Sequence, residues 1–257
     1  MTATLVLVHG GAHGSWCWEP LLPHLDGSVL AVDLPPKSIR GVARPDPVPP
    51  ELATTTLDDF ATSALADVDA AGIDRFVLVG HSMGGLTIAE LARRVPERIL
   101  HVVFVSCMVP PEGGRVVDAV PADSKDAALE LVEAGDGGEP RGDIGLDEST
   151  IRYMFCNDMT DEQARFVLDR TGPEVAAVFA ERVTRRGTPP ELSKTYVRLL
   201  RDQALTPDDQ DRAITALRDV PGGDVTVVEL DSGHDVMISA PEKLAPVLRS
   251  IARTAAA

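Results

Sequence analysis

Residues 76–91, FVLVGHSMGGLTIAEL, contain an abrupt change of hydrophobic period. The first four residues of this stretch are all apolar, which is typical of a short strand buried on both faces. Beyond the glycines, apolar residues recur at steps of three and four, which is the period of a helix. The pattern therefore predicts a strand, a tight turn and a helix, with Ser82 at the tip of the turn.

The turn has the spacing G-x-S-x-G, in the order Gly80-His81-Ser82-Met83-Gly84. This is the spacing of a nucleophile elbow, in which backbone strain exposes a serine hydroxyl at the head of a helix and a Cβ on either glycine would clash. The alternative is an ordinary turn in which the serine caps the helix. A base and an acid beyond later strands would favour the elbow.

The composition is that of one large α/β domain, since 44% of the 257 residues are hydrophobic and 25% are charged. Lys plus Arg total 24 against 40 Asp plus Glu, which gives a formal charge of −16. This acidic excess argues against nucleic acid and anionic membranes as partners, because both require a basic surface. A small-molecule substrate is the expected partner, and a homodimer remains open.

Three cysteines, Cys17, Cys107 and Cys156, are widely spaced. An odd number without CxxC spacing favours free thiols in a reducing compartment over a disulfide framework or a zinc site. The N-terminus has no basic leader, and no apolar run approaches the roughly 18 residues that a membrane span needs. We therefore expect a cytoplasmic protein that uses neither a metal nor an organic cofactor.

Six strand-like runs alternate with helical patterns, which predicts a mostly parallel six-stranded sheet flanked by helices. These runs cover residues 5–8, 29–32, 76–79, 102–105, 196–200 and 225–230. Residues 110–190 lack a convincing strand pattern, so we expect a helical cap inserted after the fourth strand, over the sheet edge that binds ligands in α/β folds. The core then comprises residues 1–109 and 191–257.

His234 follows the last strand-like run, in TVVELDSGHDVMISAPEKL, which places it at the same sheet edge as Ser82. An isolated histidine is more often structural. A histidine that comes last in the chain order serine, acid, histidine suits the base that activates a serine hydroxyl. We therefore predict that His234 is the base.

The predicted acid is Asp202, which comes two residues after the fifth strand-like run. Acids in the first turn of the next helix already have a structural role at its N-terminus. Acids beside the histidine in sequence are not expected to fold back onto its ring. These rivals are Asp208, Asp209, Asp231 and Asp235.

Donors for a developing oxyanion are expected from the main chain. The first strand-like run ends in His9-Gly10-Gly11, which allows bare backbone to face the serine. Taken alone, this triplet is equally consistent with an ordinary tight turn. We expect the N–H groups of Gly11 and Met83 to stabilise the oxyanion.

Four segments resemble the plant methylesterase and hydroxynitrile lyase branch of the α/β-hydrolase superfamily, with its bacterial esterase-like relatives. They are VHGGAHGSWCWEPLLPHL, VLVGHSMGG, YVRLLRDQALTPDDQ and DSGHDVMISAPEKLA. The resemblance spans most of the sheet framework, and the cap is recognisable only by position. It implies an α/β-hydrolase fold, a triad of Ser82, Asp202 and His234, and oxyanion donors at Gly11 and Met83.

Two positions separate the esterases of this branch from its lyases. In the lyases a lysine follows the catalytic histidine and a threonine lies near the first strand, whereas this sequence has Asp235 and Gly10 there. Because an acid would repel a departing cyanide, we expect hydrolysis of a small carboxylic ester, lactone or thioester through an acyl-enzyme. The alternatives are a lyase or cyclase acting on a biosynthetic intermediate and, less favoured, a ligand-binding receptor.

The substrate pocket is expected to combine core and cap residues. Apolar stripes of this kind also occur in plain packing between a cap and a core. The candidates are Gly10, His13, Met108, Tyr153 and Phe155.

Overall fold

The computed structural model describes residues 2–43, 45–46, 49–121, 125–126, 146–220 and 223–256. One six-stranded sheet lies at its centre, in the order β2-β1-β3-β4-β5-β6, and every neighbouring pair of strands is parallel. The strands are β1 Thr4–Val8, β2 Val29–Val32, β3 Phe76–His81, β4 Ile99–Val105, β5 Lys194–Leu199 and β6 Thr226–Leu230. The predicted parallel sheet is confirmed.

Helices connect the strands. Three of them begin at a threonine whose side chain accepts a hydrogen bond from the N–H three residues further on, which satisfies an otherwise unpaired donor. The helices of the described chain are α1 Leu57–Ala70, α2 Gly84–Arg94, α3 Glu148–Phe155, α4 Asp161–Leu168, α5 Pro207–Arg218, α6 Val236–Ser239 and α7 Pro241–Ala255. Within the described ranges, none of the helices has both the length and the apolar character of a membrane span.

The segment of residues 110–190, which we call the cap, connects β4 to β5. Besides α3 and α4 it contains two 3-10 helices, Val116–Ala119 and Ala176–Ala180. Residues 122–124 and 127–145 of the predicted cap lie outside the described residues.

The central strand β3 is buried along its whole length and sends alternate side chains to opposite faces of the sheet. Phe76 and Leu78 pack in one hydrophobic cluster with residues of α1 and α2. Val77 and Val79 pack in the second cluster with residues of α7. Burial of each large apolar side chain stabilises the fold by about 1.5–3 kcal/mol, so the sheet is a rigid support for the loops at its carboxyl edge.

The chain passes from β3 to α2 through Ser82, whose backbone is left-handed at φ 52°. A Cβ on Gly84 would lie 2.7 Å from the carbonyl oxygens of Val8 and His9, so α2 approaches the end of β1 directly. A Cβ on Gly80 would lie 2.8 Å from the side chain of Ile88. The turn therefore requires both glycines, as the sequence predicted.

We expect Gly84→Ala to lower the free energy of unfolding by about 2 kcal/mol, because the added methyl group would force α2 away from two backbone carbonyls. Gly72→Ala is the matched control, since a Cβ there meets nothing within 4 Å and the only penalty comes from its φ of 67°. That strain is worth about 1 kcal/mol. Urea denaturation measures both variants. If Gly84→Ala is no less stable than Gly72→Ala, the close approach does not constrain the fold.

Candidate active site

The loops after β5 and β6 bring Asp202 and His234 together. Both side chains are buried, and His234 Nδ1 donates to Asp202 Oδ2 at 2.7 Å. The carboxylate also accepts from the N–H groups of Ala204 and Leu205, at 2.8 Å each, and from the Ser106 hydroxyl at 2.6 Å. Because all four partners are donors, this environment suits a carboxylate anion that fixes the orientation of the imidazole.

Ser82 is half-buried at the same edge of the sheet. Its N–H donates to the carbonyl of Val105 at 3.1 Å, and its carbonyl accepts from the N–H of Met108 at 3.1 Å, so the end of β4 holds its backbone. Within the described chain, its hydroxyl makes no hydrogen bond to His234 Nε2 or to any other group. The structure therefore brings the serine and the histidine to one edge without closing the bond between them.

His81 links the two loops that carry Ser82 and His234. Its Nε2 donates to the carbonyl oxygen of His234 at 3.1 Å, and the two imidazole rings lie 4.5 Å apart between centroids. The backbone of His234 is thus held by the residue that precedes Ser82 in the chain.

The pKa values of the two neighbouring imidazoles are shifted in opposite directions. Burial acts to lower the pKa of His234, but the carboxylates of Asp202 and Asp235 outweigh it and raise the pKa above its usual value of 6.5. Burial, followed by the positive charge that His234 can carry, holds the pKa of His81 well below that value. His234 is therefore the ring that takes up a proton, which is the property that a general base needs.

The loop of residues 10–14 follows β1 and faces Ser82. A Cβ on Gly10 would lie 2.7 Å from Ser82 Cβ, and a Cβ on Gly11 would lie 2.7 Å from Met83 Sδ. In the part of the chain that the structure describes, the N–H groups of Gly11 and Met83 donate to no acceptor. Gly11 thus lies against Met83, the residue after the serine, and both predicted donors are unpaired within the described residues.

Two of the predicted pocket residues, Phe155 and Met108, lie next to His234 and Ser82. Phe155 is buried in α3, and its ring stacks over the His234 imidazole with 5.5 Å between centroids. Met108 is buried, and its N–H donates to the Ser82 carbonyl, but the cavity of about 80 Å³ that it lines includes neither Ser82 nor His234. Phe155 and Met108 therefore place apolar side chains beside His234 and Ser82.

Tyr153, another of the predicted pocket residues, lies on the outer side of α3. The buried residues of α3 are Ile151 and Phe155, and a residue two positions from each lies on the opposite side of a helix. Tyr153 is accordingly 61% exposed.

His13, also predicted to line the pocket, is hydrogen-bonded within the protein through both ring nitrogens. Its Nδ1 lies 2.7 Å from the Gly11 carbonyl oxygen, and its Nε2 lies 3.0 Å from Asp235 Oδ2.

Sequence reasoning missed three side chains at this edge. Ser106 directly follows the buried strand β4, and that position was the available signal for it. Arg40 and Glu174 form a buried ion pair across 134 residues of sequence. No local pattern marks such a pair, because only the fold brings the loop after β2 against the cap.

One cluster has the composition of a metal site. His81, His234 and Asp235 offer atoms that lie within 4.8 Å of one another, and all three residues are buried. His234 Nδ1 is bonded to Asp202, His81 Nε2 to a backbone carbonyl, and Asp235 Oδ2 to His13. These hydrogen bonds account for one polar atom of each residue, whereas the buried His81 Nδ1 and Asp235 Oδ1 have no hydrogen-bond partner among the described residues.

Known proteins match this chain along nearly its whole length. The model of the alpha/beta hydrolase family matches residues 5–247. Methylesterase 9 of Arabidopsis thaliana is 27% identical over 261 residues, covering 96% of this chain and 97% of that protein. Norfluorocurarine synthase 1 of Strychnos nux-vomica is 28% identical, covering 96% of this chain and 94% of that protein.

Among solved structures, an extracellular alpha/beta-hydrolase from a Paenibacillus species superposes with a TM-score of 0.75 at 20% identity, covering 98% of this chain and 99% of that one. This likeness confirms the predicted fold. The chain belongs to the alpha/beta hydrolase family, and the resemblance to its plant methylesterase branch is confirmed.

Proposed function

We propose that this protein is a serine hydrolase that cleaves a small carboxylic ester, lactone or thioester through an acyl-enzyme. The observation that carries the proposal is the buried hydrogen bond of 2.7 Å between His234 and Asp202 at the sheet edge where Ser82 ends a strained turn. The similarity to a plant methylesterase supports the same class of reaction.

In this proposal Asp202 holds Nδ1–H of His234, which leaves Nε2 to accept the proton of the Ser82 hydroxyl. The serine oxygen forms a bond to the substrate carbonyl carbon, and the carbonyl π electrons move onto its oxygen. The N–H groups of Gly11 and Met83 stabilise that oxyanion. The adduct collapses and expels the alcohol, which takes the proton from His234; water then attacks the acyl-enzyme by the same route and releases the acid.

The proposed site disfavours cyanohydrin cleavage for a structural reason. Asp235 occupies the place where the lyases have a lysine, and its carboxylate is fully buried against His13. A departing cyanide would therefore meet no cation at this place. The missing positive charge is a stronger reason than the repulsion that the sequence suggested, because Asp235 points into the protein interior.

A fluorophosphonate probe should label the wild-type protein at Ser82, and Ser82→Ala should not be labelled. Ser106→Ala is the matched control, since Ser106 is also left-handed, at φ 40°, and bonds to Asp202 but is fully buried. That variant should still be labelled. Mass spectrometry of the intact protein and its peptides measures the added probe mass and identifies the labelled residue. Labelling of the Ser82→Ala protein would show that the nucleophile is misassigned.

The value of kcat/KM for 4-nitrophenyl acetate should fall as the pH decreases, with a midpoint above 6.5, because a protonated His234 cannot accept the serine proton. The groups that face this ring are Asp202 and Asp235, which raise its pKa, and His81, which remains neutral. Replacement of the distant His101 by Gln is the control and should leave the midpoint unchanged. A midpoint clearly below 6.5 would exclude His234 as the titrating base.

A non-hydrolytic reaction at the same site is the second candidate. It is favoured by the 28% identity, over 96% of this chain, to a protein named a synthase. The two candidates differ in their need for a covalent intermediate. If Ser82→Ala converts a substrate at the wild-type rate and no acyl adduct is detected, the second candidate replaces the first.

A further inference from the structure

Loop 10–14 contains two consecutive peptide groups whose orientation decides where the Gly11 N–H points. Ala12 in this loop has a left-handed backbone at φ 62°, which a residue other than glycine rarely adopts without support. Gly10 and Gly11 have no side chain to hold them. The orientation of the loop must therefore come from contacts with other parts of the chain.

The first of these peptides, between Gly10 and Gly11, is held by His9. The Nε2 atom of His9 accepts from the N–H of Leu34 at 3.0 Å, so the ring proton lies on Nδ1, which donates to the Gly10 carbonyl at 2.8 Å. Burial and the nearby Arg40 hold the pKa of His9 well below its usual value, which agrees with a neutral ring. Because the Gly10 carbonyl is bound to His9, the Gly11 N–H of the same peptide points the opposite way.

The second peptide, between Gly11 and Ala12, is held at one end from the core. Its carbonyl oxygen on Gly11 accepts from His13 Nδ1 at 2.7 Å, and His13 Nε2 contacts Asp235 at 3.0 Å. Both ring nitrogens of His13 are thus engaged, which prevents the ring from turning.

The same peptide is held at its other end from the cap. The Ala12 N–H donates to Glu174 Oε2 at 2.8 Å. Arg40 donates to both oxygens of this carboxylate, from Nη1 at 3.0 Å and from Nη2 at 3.3 Å, and its Nη1 also donates to the His13 carbonyl at 3.3 Å. The side chains of Arg40 and Glu174 are only 2% and 6% exposed. The Gly172 N–H, also from the cap, donates to the Ala12 carbonyl at 3.0 Å.

Of the four polar groups in these two peptides, three are bonded to side chains, and within the described residues only the Gly11 N–H is unpaired. We infer that Glu174, fixed by Arg40, is a positioning residue through which the cap sets the direction of the oxyanion donor on Gly11. This inference rests on the proposed function. It assigns the cap a part in the chemical step in addition to covering the site.

The test compares Glu174→Gln with Glu181→Gln. Both are cap residues whose carboxylates accept a backbone N–H, but Glu181 binds Leu57 at the start of α1 and does not touch loop 10–14. In Glu174→Gln the amide loses the charge that pairs with Arg40, so the loop should relax. We expect kcat for 4-nitrophenyl acetate to fall about tenfold with little change in KM, a fraction of what removal of an oxyanion donor costs. The kcat of Glu181→Gln should stay within about twofold of the wild-type value, because this residue does not hold the loop that carries the oxyanion donor.

A second readout separates positioning from packing. The hydroxyl of Ser82 adds to the carbonyl of 1,1,1-trifluoroacetophenone, its proton passes to His234, and the ketone oxygen becomes an oxyanion in the Gly11 and Met83 site. Acetophenone binds without forming this adduct. The Glu174→Gln protein should bind the trifluoro ketone more weakly than the wild type, by the same factor that kcat falls. Its affinity for acetophenone should not change.

Equal weakening of both ketones, or tight binding of the trifluoro ketone by Glu174→Gln, would overturn the inference. If Glu174→Gln does not fold, Arg40→Lys takes its place, since this variant keeps the positive charge but loses the double contact with Glu174. It should weaken binding of the trifluoro ketone relative to acetophenone by a smaller factor. A wild-type protein that neither hydrolyses the ester nor forms the adduct would instead refute the proposed function.

Discussion

The close approach of α2 to the end of β1 is the constraint on which the site depends. It is possible because Gly84 presents no side chain to the carbonyls of Val8 and His9. This contact places the head of α2 beside loop 10–14, so that Gly10 lies against Ser82 and Gly11 against Met83 although the two segments are far apart in the chain. A nucleophile and an oxyanion donor need this proximity before any side chain contributes to chemistry.

Buried charge holds the loops around that contact. Asp202, Asp235 and Glu174 are each almost fully buried, and each is hydrogen-bonded to a side chain from another segment of the chain, which is His234, His13 and Arg40 respectively. Removal of a charge from water is costly unless hydrogen bonds and an opposite charge replace the lost solvation. A carboxylate with such partners therefore fixes the relative position of two loops, because separating them would leave the charge unpaired. The formal charge of −16 carries no information about this arrangement.

The serine turn and the sheet could be read from the sequence because their causes are local. The apolar run of β3 and the helical period of α2 are periodic patterns, and the glycines at 80 and 84 mark where backbones approach one another. The choice of Asp202 and His234 followed from their positions after parallel strands, since the carboxyl ends of such strands share one edge. The surroundings of Tyr153 could not be predicted in the same way, because only the observed orientation of α3 shows that its buried face carries Ile151 and Phe155 and that Tyr153 faces solvent.

The order of strands and helices, the strained serine turn and the residue types of the candidate site can be predicted from the sequence, because each depends on neighbours within a few positions. Which of the remaining polar groups meet depends on the fold. Arg40 and Glu174, His13 and Asp235, and Ser106 and Asp202 pair across 134, 222 and 96 residues. Nothing local favours these pairs. They exist because the sheet brings the loops at its carboxyl edge together under the cap, where a buried polar group must find a partner.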